Sequence, residues 1–190
     1  MSFNPAVSAL LNKKIAAAIR TEKDFSTALR SNVDVVFLLH SNINMLHQSV
    51  QEIHSAGKKV FLHVDFAEGI GKDPSGIEFI AKQGVDGVLT TRTTIVRMAK
   101  ECGLIGVQRF FLVDSHSLST SVESMRISKP DIIELMPGVV TKKIREFAKI
   151  ADMPIIAGGI IETEEEVRAA LEAGADIVST GEVSLWNLKI

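Results

Sequence analysis

Short apolar runs alternate along the chain with amphipathic stretches. The runs are Ile15–Ile19, Val35–His40, Val60–Asp65, Gly87–Thr91, Val107–Asp114, Ile132–Pro137, Pro154–Gly159 and Ile177–Gly181. Most are near-continuous in Val, Ile, Leu or Phe, which predicts parallel strands covered on both faces. Between them the pattern turns helical. In the clearest case, Glu164–Ala173, Thr163 and Glu166 make a capping box and Gly174 supplies the stop. Asp73-Pro74 marks a second helix start, an N-cap followed by proline at the first helical position.

The runs begin about 20 to 27 residues apart, one strand–helix unit each. Eight units predict a compact (β/α)8 TIM-type barrel with short loops, a single domain over residues 1–190. An open doubly wound sheet usually has five or six strands and a Gly-x-Gly-x-x-Gly turn after the first, and neither feature fits. Gly84–Thr91 and Gly174–Gly181 echo each other and open units four and eight. Half-barrel symmetry would produce that echo, and so would chance likeness between two turn-plus-strand segments.

Composition narrows the partners. At 46% apolar and a net charge of −2, the 190 residues are not a disordered chain. The one cysteine, Cys102, excludes an internal disulfide and a cysteine zinc cage, and fits the reducing cytoplasm. No apolar run approaches ~18 residues, so no membrane partner is expected. With no tyrosine and 5% aromatics, the chain offers little surface for base stacking. Lys13-Lys14, Lys58-Lys59 and Lys142-Lys143-x-Arg145 are local basic clusters, readable as solvated faces or as RNA contacts.

In this fold ligands bind at the C-terminal strand ends, and the opposite ends serve stability. Asp34, Asp86, Asp131 and Asp176 each precede a strand and are expected to close turns on the stability face. At the other end, Gly158-Gly159 and Thr180-Gly181 follow strands seven and eight, the usual barrel phosphate site. Glycine lets backbone N–H groups approach a phosphate oxygen, and Glu182–Leu188 is the segment for the accompanying short helix. Glu182 at its start opposes an anion. Arg92 and Arg109 either neutralise a ligand or pair with Asp65, Asp114 or Glu134 inside the barrel. His63 and Asp65 share one face of their strand. With Glu134 they have metal-ligand chemistry, but no second histidine at diagnostic spacing. His40 reads as a barrel histidine.

Two enzyme classes lose ground. Every lysine falls on a helix, in a loop or at the start of a strand, whereas a Schiff-base aldolase needs one inside the mouth. Gly69-Ile-Gly-Lys72-Asp73 lacks the first glycine and the Ser/Thr of a P-loop, and reads as a mobile flap.

The motifs His63-Val-Asp65, Glu68-Gly-Ile70, Gly76-Ile-Glu78-Phe79-Ile80, Thr91-Arg92-Thr93, Gln108 to Asp114, Lys129-Pro-Asp131, Glu134-x-x-Pro137-Gly138 and Ala157-Gly158-Gly159 occur in that order. Together they resemble the glycerol uptake operon antiterminator regulatory proteins of Gram-positive bacteria, from Met1-Ser-Phe3 to Leu185-Trp186. The resemblance implies a cytoplasmic regulator, not an enzyme and without a cofactor. Such a protein senses glycerol 3-phosphate and acts on the leader mRNA of glycerol-metabolism operons to prevent termination. It carries a shared strand-end set onto His63, Asp65, Arg92, Arg109, Asp114, Glu134, Gly138, Gly158 and Gly159. A homo-oligomer is compatible with the sequence. The alternative is a small barrel enzyme acting on a triose or sugar phosphate by acid–base chemistry through Asp65 and Glu134. At about 24 residues per unit, short for this fold, little chain is left for catalytic loops, which favours the sensor.

Overall fold

The computed structural model describes residues 5–114 and 116–190. Eight parallel strands close a barrel in chain order: β1 (Ile15–Ile19), β2 (Val35–Leu38), β3 (Lys59–His63), β4 (Gly87–Thr90), β5 (Ile105–Phe111), β6 (Ile132–Met136), β7 (Ile155–Gly158) and β8 (Ile177–Thr180). All eight predicted runs are strands. Their polar tails, among them His40, Asp65, Asp114 and Gly181, lie in the loops just beyond.

The helices are α1 (Pro5–Leu10), α2 (Glu22–Arg30), α3 (Leu46–Ser55), α4 (Pro74–Lys82), α5 (Thr93–Glu101), α6 (His116–Ser128), α7 (Thr141–Ala148) and α8 (Glu164–Glu172). Thr163 and Glu166 form the expected capping box on α8, and Asp73 caps α4 through the Gly76 N–H at 2.8 Å. A helix precedes β1, however, and none of α type follows β8. The eighth unit ends in a short 3-10 segment, Val183–Asn187.

Alternation along the strands sorts the core in two. Ala16, Ala18, Phe37, Phe61, Leu89 and Val107 belong to the cluster that fills the barrel, and Phe37 meets Phe61 at 5.4 Å between ring centroids. Their neighbours, such as Ala17, Val36, Val60 and Val88, join the larger cluster under the helices. Most strand positions are therefore apolar because both faces are covered, and the polar exceptions, such as His63, Arg109, Glu134 and Thr180, fall mainly toward the C-terminal ends. Val7 and Leu10 of α1 also belong to the inner cluster and plug the N-terminal end.

Three of the four aspartates before the even strands act as expected, whereas Asp34 takes part through its backbone carbonyl, which accepts the Lys59 N–H at 2.8 Å. Asp86 accepts the Val60 N–H, Asp131 the Gly106 N–H and Asp176 the Ile155 N–H, each at 2.9 Å. Each satisfies a backbone donor at the start of the preceding odd strand. Asp86 and Asp176 hold the same place in the two echoed segments, and Gly84 and Gly174 both turn with positive φ, at 87° and 108°. The echo follows from geometry shared by units four and eight.

The 66–73 loop departs from the mobile flap the sequence suggests. Ser41–Asn42 pairs with Ala67–Glu68 as a two-stranded sheet, and Ile70 is buried. Lys72 Nζ donates to the Ala67 and Ile70 carbonyls at 2.6 and 3.1 Å, which ties the loop from within.

Candidate ligand-binding site at the barrel mouth

The loops after β1, β7 and β8 surround a cavity of ≈ 360 Å³ at the C-terminal end of the barrel. Arg109, Glu134, Gly159, Ser179, Thr180 and Gly181 are among the residues that line it. That volume suits a small ligand.

Arg109 and Glu134 are register partners on adjacent strands. The Arg109 Nε donates to Glu134 Oε2 at 2.6 Å, with the side chains 10% and 1% exposed. Such a pair persists in the interior because each charge offsets the cost of burying the other. Gly158 makes room for it, since a Cβ there would lie 2.4 Å from Glu134 Oε1. Gly138 secures the floor of the next loop by donating its N–H to the Gly158 carbonyl at 2.6 Å. A Cβ on Gly138 would lie 3.0 Å from the Gly158 nitrogen.

Gly159 and Ile160 both turn with positive φ, at 78° and 59°. Glycine accepts this conformation, whereas a β-branched residue is strained in it, a condition common at ligand sites. Among the described residues, the N–H groups of Gly159, Ile160 and Gly181 make no hydrogen bond. Three donors are therefore open on the loops after β7 and β8, beside the cationic Arg109 and Arg20 of the cavity wall. Backbone N–H groups and cations in a concave site form an anion receptor.

Three of the four acids that line the cavity are engaged elsewhere, and the fourth, Glu162, is exposed at its rim. Asp24 accepts the Thr21 N–H, and Glu134 holds Arg109. Glu182 accepts both the Ser184 N–H and its hydroxyl, so hydrogen bonds hold its carboxyl below the usual range. This cap occupies the start of the 3-10 segment, which therefore does not offer the helix N-terminus expected there. The Thr180 hydroxyl is also committed, donating to the Ile161 carbonyl at 2.7 Å and accepting from the Glu182 N–H.

The remaining sequence candidates gather over β3 and β4, outside the cavity's lining. Asp65 accepts from the Thr90 hydroxyl at 3.0 Å and the Thr91 N–H at 2.9 Å, and Arg92 Nε lies 3.4 Å away. Burial would raise the Asp65 carboxyl. The His63 ring, with the Thr91 and Thr90 donors, outweighs burial and holds it well below the carboxylate range. His63 Nε2 is 3.6 Å from Asp65 Oδ2, too long for a full hydrogen bond but close enough for charge to act. His63 is 2% exposed, both its ring nitrogens lack a hydrogen-bond partner, and Phe66 packs edge-on against it at 4.8 Å. No group of three or more potential metal-ligand side chains forms among the described residues.

The sequence reading missed Arg20, Ser179 and Ile160. Arg20 directly follows β1 and Ser179 points inward near the end of β8, so the strand-end rule that selected the others covers both. Nothing in a β-branched residue announces a positive φ.

The family model of glycerol-3-phosphate responsive antiterminators matches residues 15–186. A glycerol uptake operon antiterminator regulatory protein from Listeria monocytogenes superposes with a TM-score of 0.88 at 31% identity, covering 92% of this chain and 95% of that one. An antiterminator-related protein from Thermotoga maritima gives 0.82 at 34%, covering 92% and 98%. The protein YgcP of Escherichia coli K12, itself described as uncharacterized, is 30% identical over 185 residues, 97% of each chain. No helix among the described residues is long and apolar enough to cross a membrane. With the family model and both barrels matching over nearly the whole length, the chain belongs to the glycerol-3-phosphate responsive antiterminators.

Proposed function

We propose that the protein is a cytoplasmic sensor of glycerol 3-phosphate that binds the leader mRNA of a glycerol-metabolism operon and prevents its premature termination. The observation that carries this reading is the set of unbonded N–H groups at Gly159, Ile160 and Gly181 beside the buried Arg109–Glu134 pair. The phosphate sits on those N–H groups, with Arg20 balancing its charge. The glycerol hydroxyls face Ser179, the Arg109 guanidinium and the Glu134 carboxylate. Ligand and RNA are linked only if the ligand binds the RNA-competent state more tightly than the other.

The geometry counts against the enzyme alternative. Acid–base turnover asks Asp65 or Glu134 to exchange protons, yet Asp65 is held ionised by several donors and Glu134 is locked to Arg109. The test is transcription in vitro through the leader terminator with purified protein. Read-through that rises only when protein and glycerol 3-phosphate are both present supports the reading. Read-through indifferent to the ligand overturns it.

A further inference from the structure

The three basic clusters of the sequence have different fates. Lys58 is buried, its Nζ donating to the Ser31 and Val33 carbonyls at 2.7 Å each, and Lys59 pairs with Asp86 at 2.8 Å. On α7, Lys143 pairs with Glu146 at 2.7 Å, the exposed Lys142 adds its charge to the same carboxylate, and the exposed Arg145 lies in the last turn. Lys13 and Lys14 are exposed and have no acidic partner among the described residues. They lie on the N-terminal side of β1, at the end of the barrel opposite the ligand mouth.

There they line a concavity of ≈ 270 Å³ with Lys189 and the amides Asn12 and Asn32, and no acidic side chain takes part in the lining. A second, larger concavity on this face has Lys100, Arg126 and Lys129, but Asp131 and Asp152 line it too, and Asp131 holds Lys100 at 3.0 Å. Lysines at helix C-termini serve the helix dipole. Lys13, Lys14 and Lys189 end no helix, so that purpose does not account for them. Lys13 is close enough for its charge to act on the buried Lys58, whose pKa burial lowers against the pull of Asp34.

One segment of chain runs from the ligand mouth to this concavity. Gly181 and Glu182 line the mouth, while Trp186, Leu188 and Lys189 line the lower concavity. The segment between them is the one that replaces the eighth helix. Two adjacent side chains anchor it: Trp186 Nε1 donates to the Thr180 carbonyl, and the Asn32 N–H donates to Asn187 Oδ1, each at 2.9 Å.

We propose that Lys13, Lys14 and Lys189 are the contact site for RNA backbone phosphates, joined to the ligand mouth by the segment Gly181–Lys189. The proposal rests on the antiterminator reading. It places ligand and RNA at opposite ends of the barrel, so the two anions do not compete. A shift of Gly181 on a bound phosphate would reach Lys189 through eight residues of continuous, anchored chain.

The test measures binding of the operon leader RNA across a salt series at saturating glycerol 3-phosphate. It compares wild type, the triple variant Lys13→Gln/Lys14→Gln/Lys189→Gln, and the control Arg126→Gln/Lys129→Gln from the second concavity. The triple variant is expected to lose at least tenfold in RNA affinity. Its log–log salt slope should be shallower by about two, as three neutralised contacts to a single strand require. Its calorimetric affinity for glycerol 3-phosphate and its Tm should stay at wild-type values, and the control should bind RNA within about twofold of wild type. Wild-type RNA affinity in the triple variant, or an equal loss in the control, overturns the site and leaves the antiterminator reading standing. Wild type that binds no RNA with or without ligand overturns both.

Discussion

Arg109 and Glu134 face each other across β5 and β6 as direct register partners, with Nε and Oε2 2.6 Å apart in the upper layer of the barrel. Removing one partner strands a buried charge. Arg109→Ala or Glu134→Ala is expected to cost about 3 to 5 kcal/mol of stability in denaturant unfolding. Arg109→Met/Glu134→Met should recover most of that loss but not ligand binding. A double variant as unstable as the sum of the singles would show that the pair is not coupled.

Gly158 is the position where the pair leaves no room for a side chain. Gly158→Ala sets a Cβ 2.4 Å from Glu134 Oε1, while Arg109 holds the same carboxylate in place through Oε2. The expected cost is about 1 to 3 kcal/mol, as for other overpacked sites. Calorimetry should show ligand affinity falling with it. Gly181→Ala meets nothing nearer than the Ala18 carbonyl oxygen at 3.5 Å and should be far milder in stability.

Ile160 combines a φ of 59° with 66% exposure, so its strain is not offset by burial of its side chain. Ile160→Gly removes a conformational penalty of about 1 kcal/mol or more, partly offset by the larger entropy of the unfolded glycine. Thermal unfolding should show a Tm unchanged or raised, where an ordinary loop substitution to glycine lowers it. A fall of several degrees would contradict the strain.

The acid limb of stability follows from Asp86 and Asp65. Burial would raise Asp86, but Lys59, the Val60 N–H and His54 outweigh it, so its folded pKa lies below the ordinary value, as does that of Asp65. A depressed carboxyl contributes stability above its unfolded pKa, near ~4, and loses it as pH falls through the folded value. Tm should therefore hold between about pH 7 and 5 and fall below about 4. Asp86→Asn should flatten that fall, and a Tm indifferent to pH between about 5 and 3 would count against both groups.

The barrel was legible because strands buried on both faces are apolar at most positions, and Val35–Leu38 or Ile155–Ala157 have no polar interruption. Asp86, Asp131 and Asp176 were legible for a related reason, since a carboxylate just before a strand has a backbone donor to serve. The plug formed by Val7 and Leu10 was not, because six residues with two buried positions give too little periodicity to read. The missing eighth helix turns on Glu182, whose cap closes a single 3-10 segment. Gly69 and Gly71 made the 66–73 loop look like a flap, and only the carbonyls of Ala67 and Ile70 around Lys72 Nζ reveal a tie. Of the mouth, Arg109, Glu134, Gly159 and Gly181 followed from their strand-end positions. Thr180 followed from the same rule, but its hydroxyl is spent on the loop itself.

The most direct measurement is a crystal structure of the protein with glycerol 3-phosphate. The account predicts the phosphate within hydrogen-bond distance of the Gly159, Ile160 and Gly181 N–H groups, and the glycerol carbons over Arg109 and Glu134. A phosphate bound at Lys13, Lys14 and Lys189 instead, with the mouth empty, would contradict it.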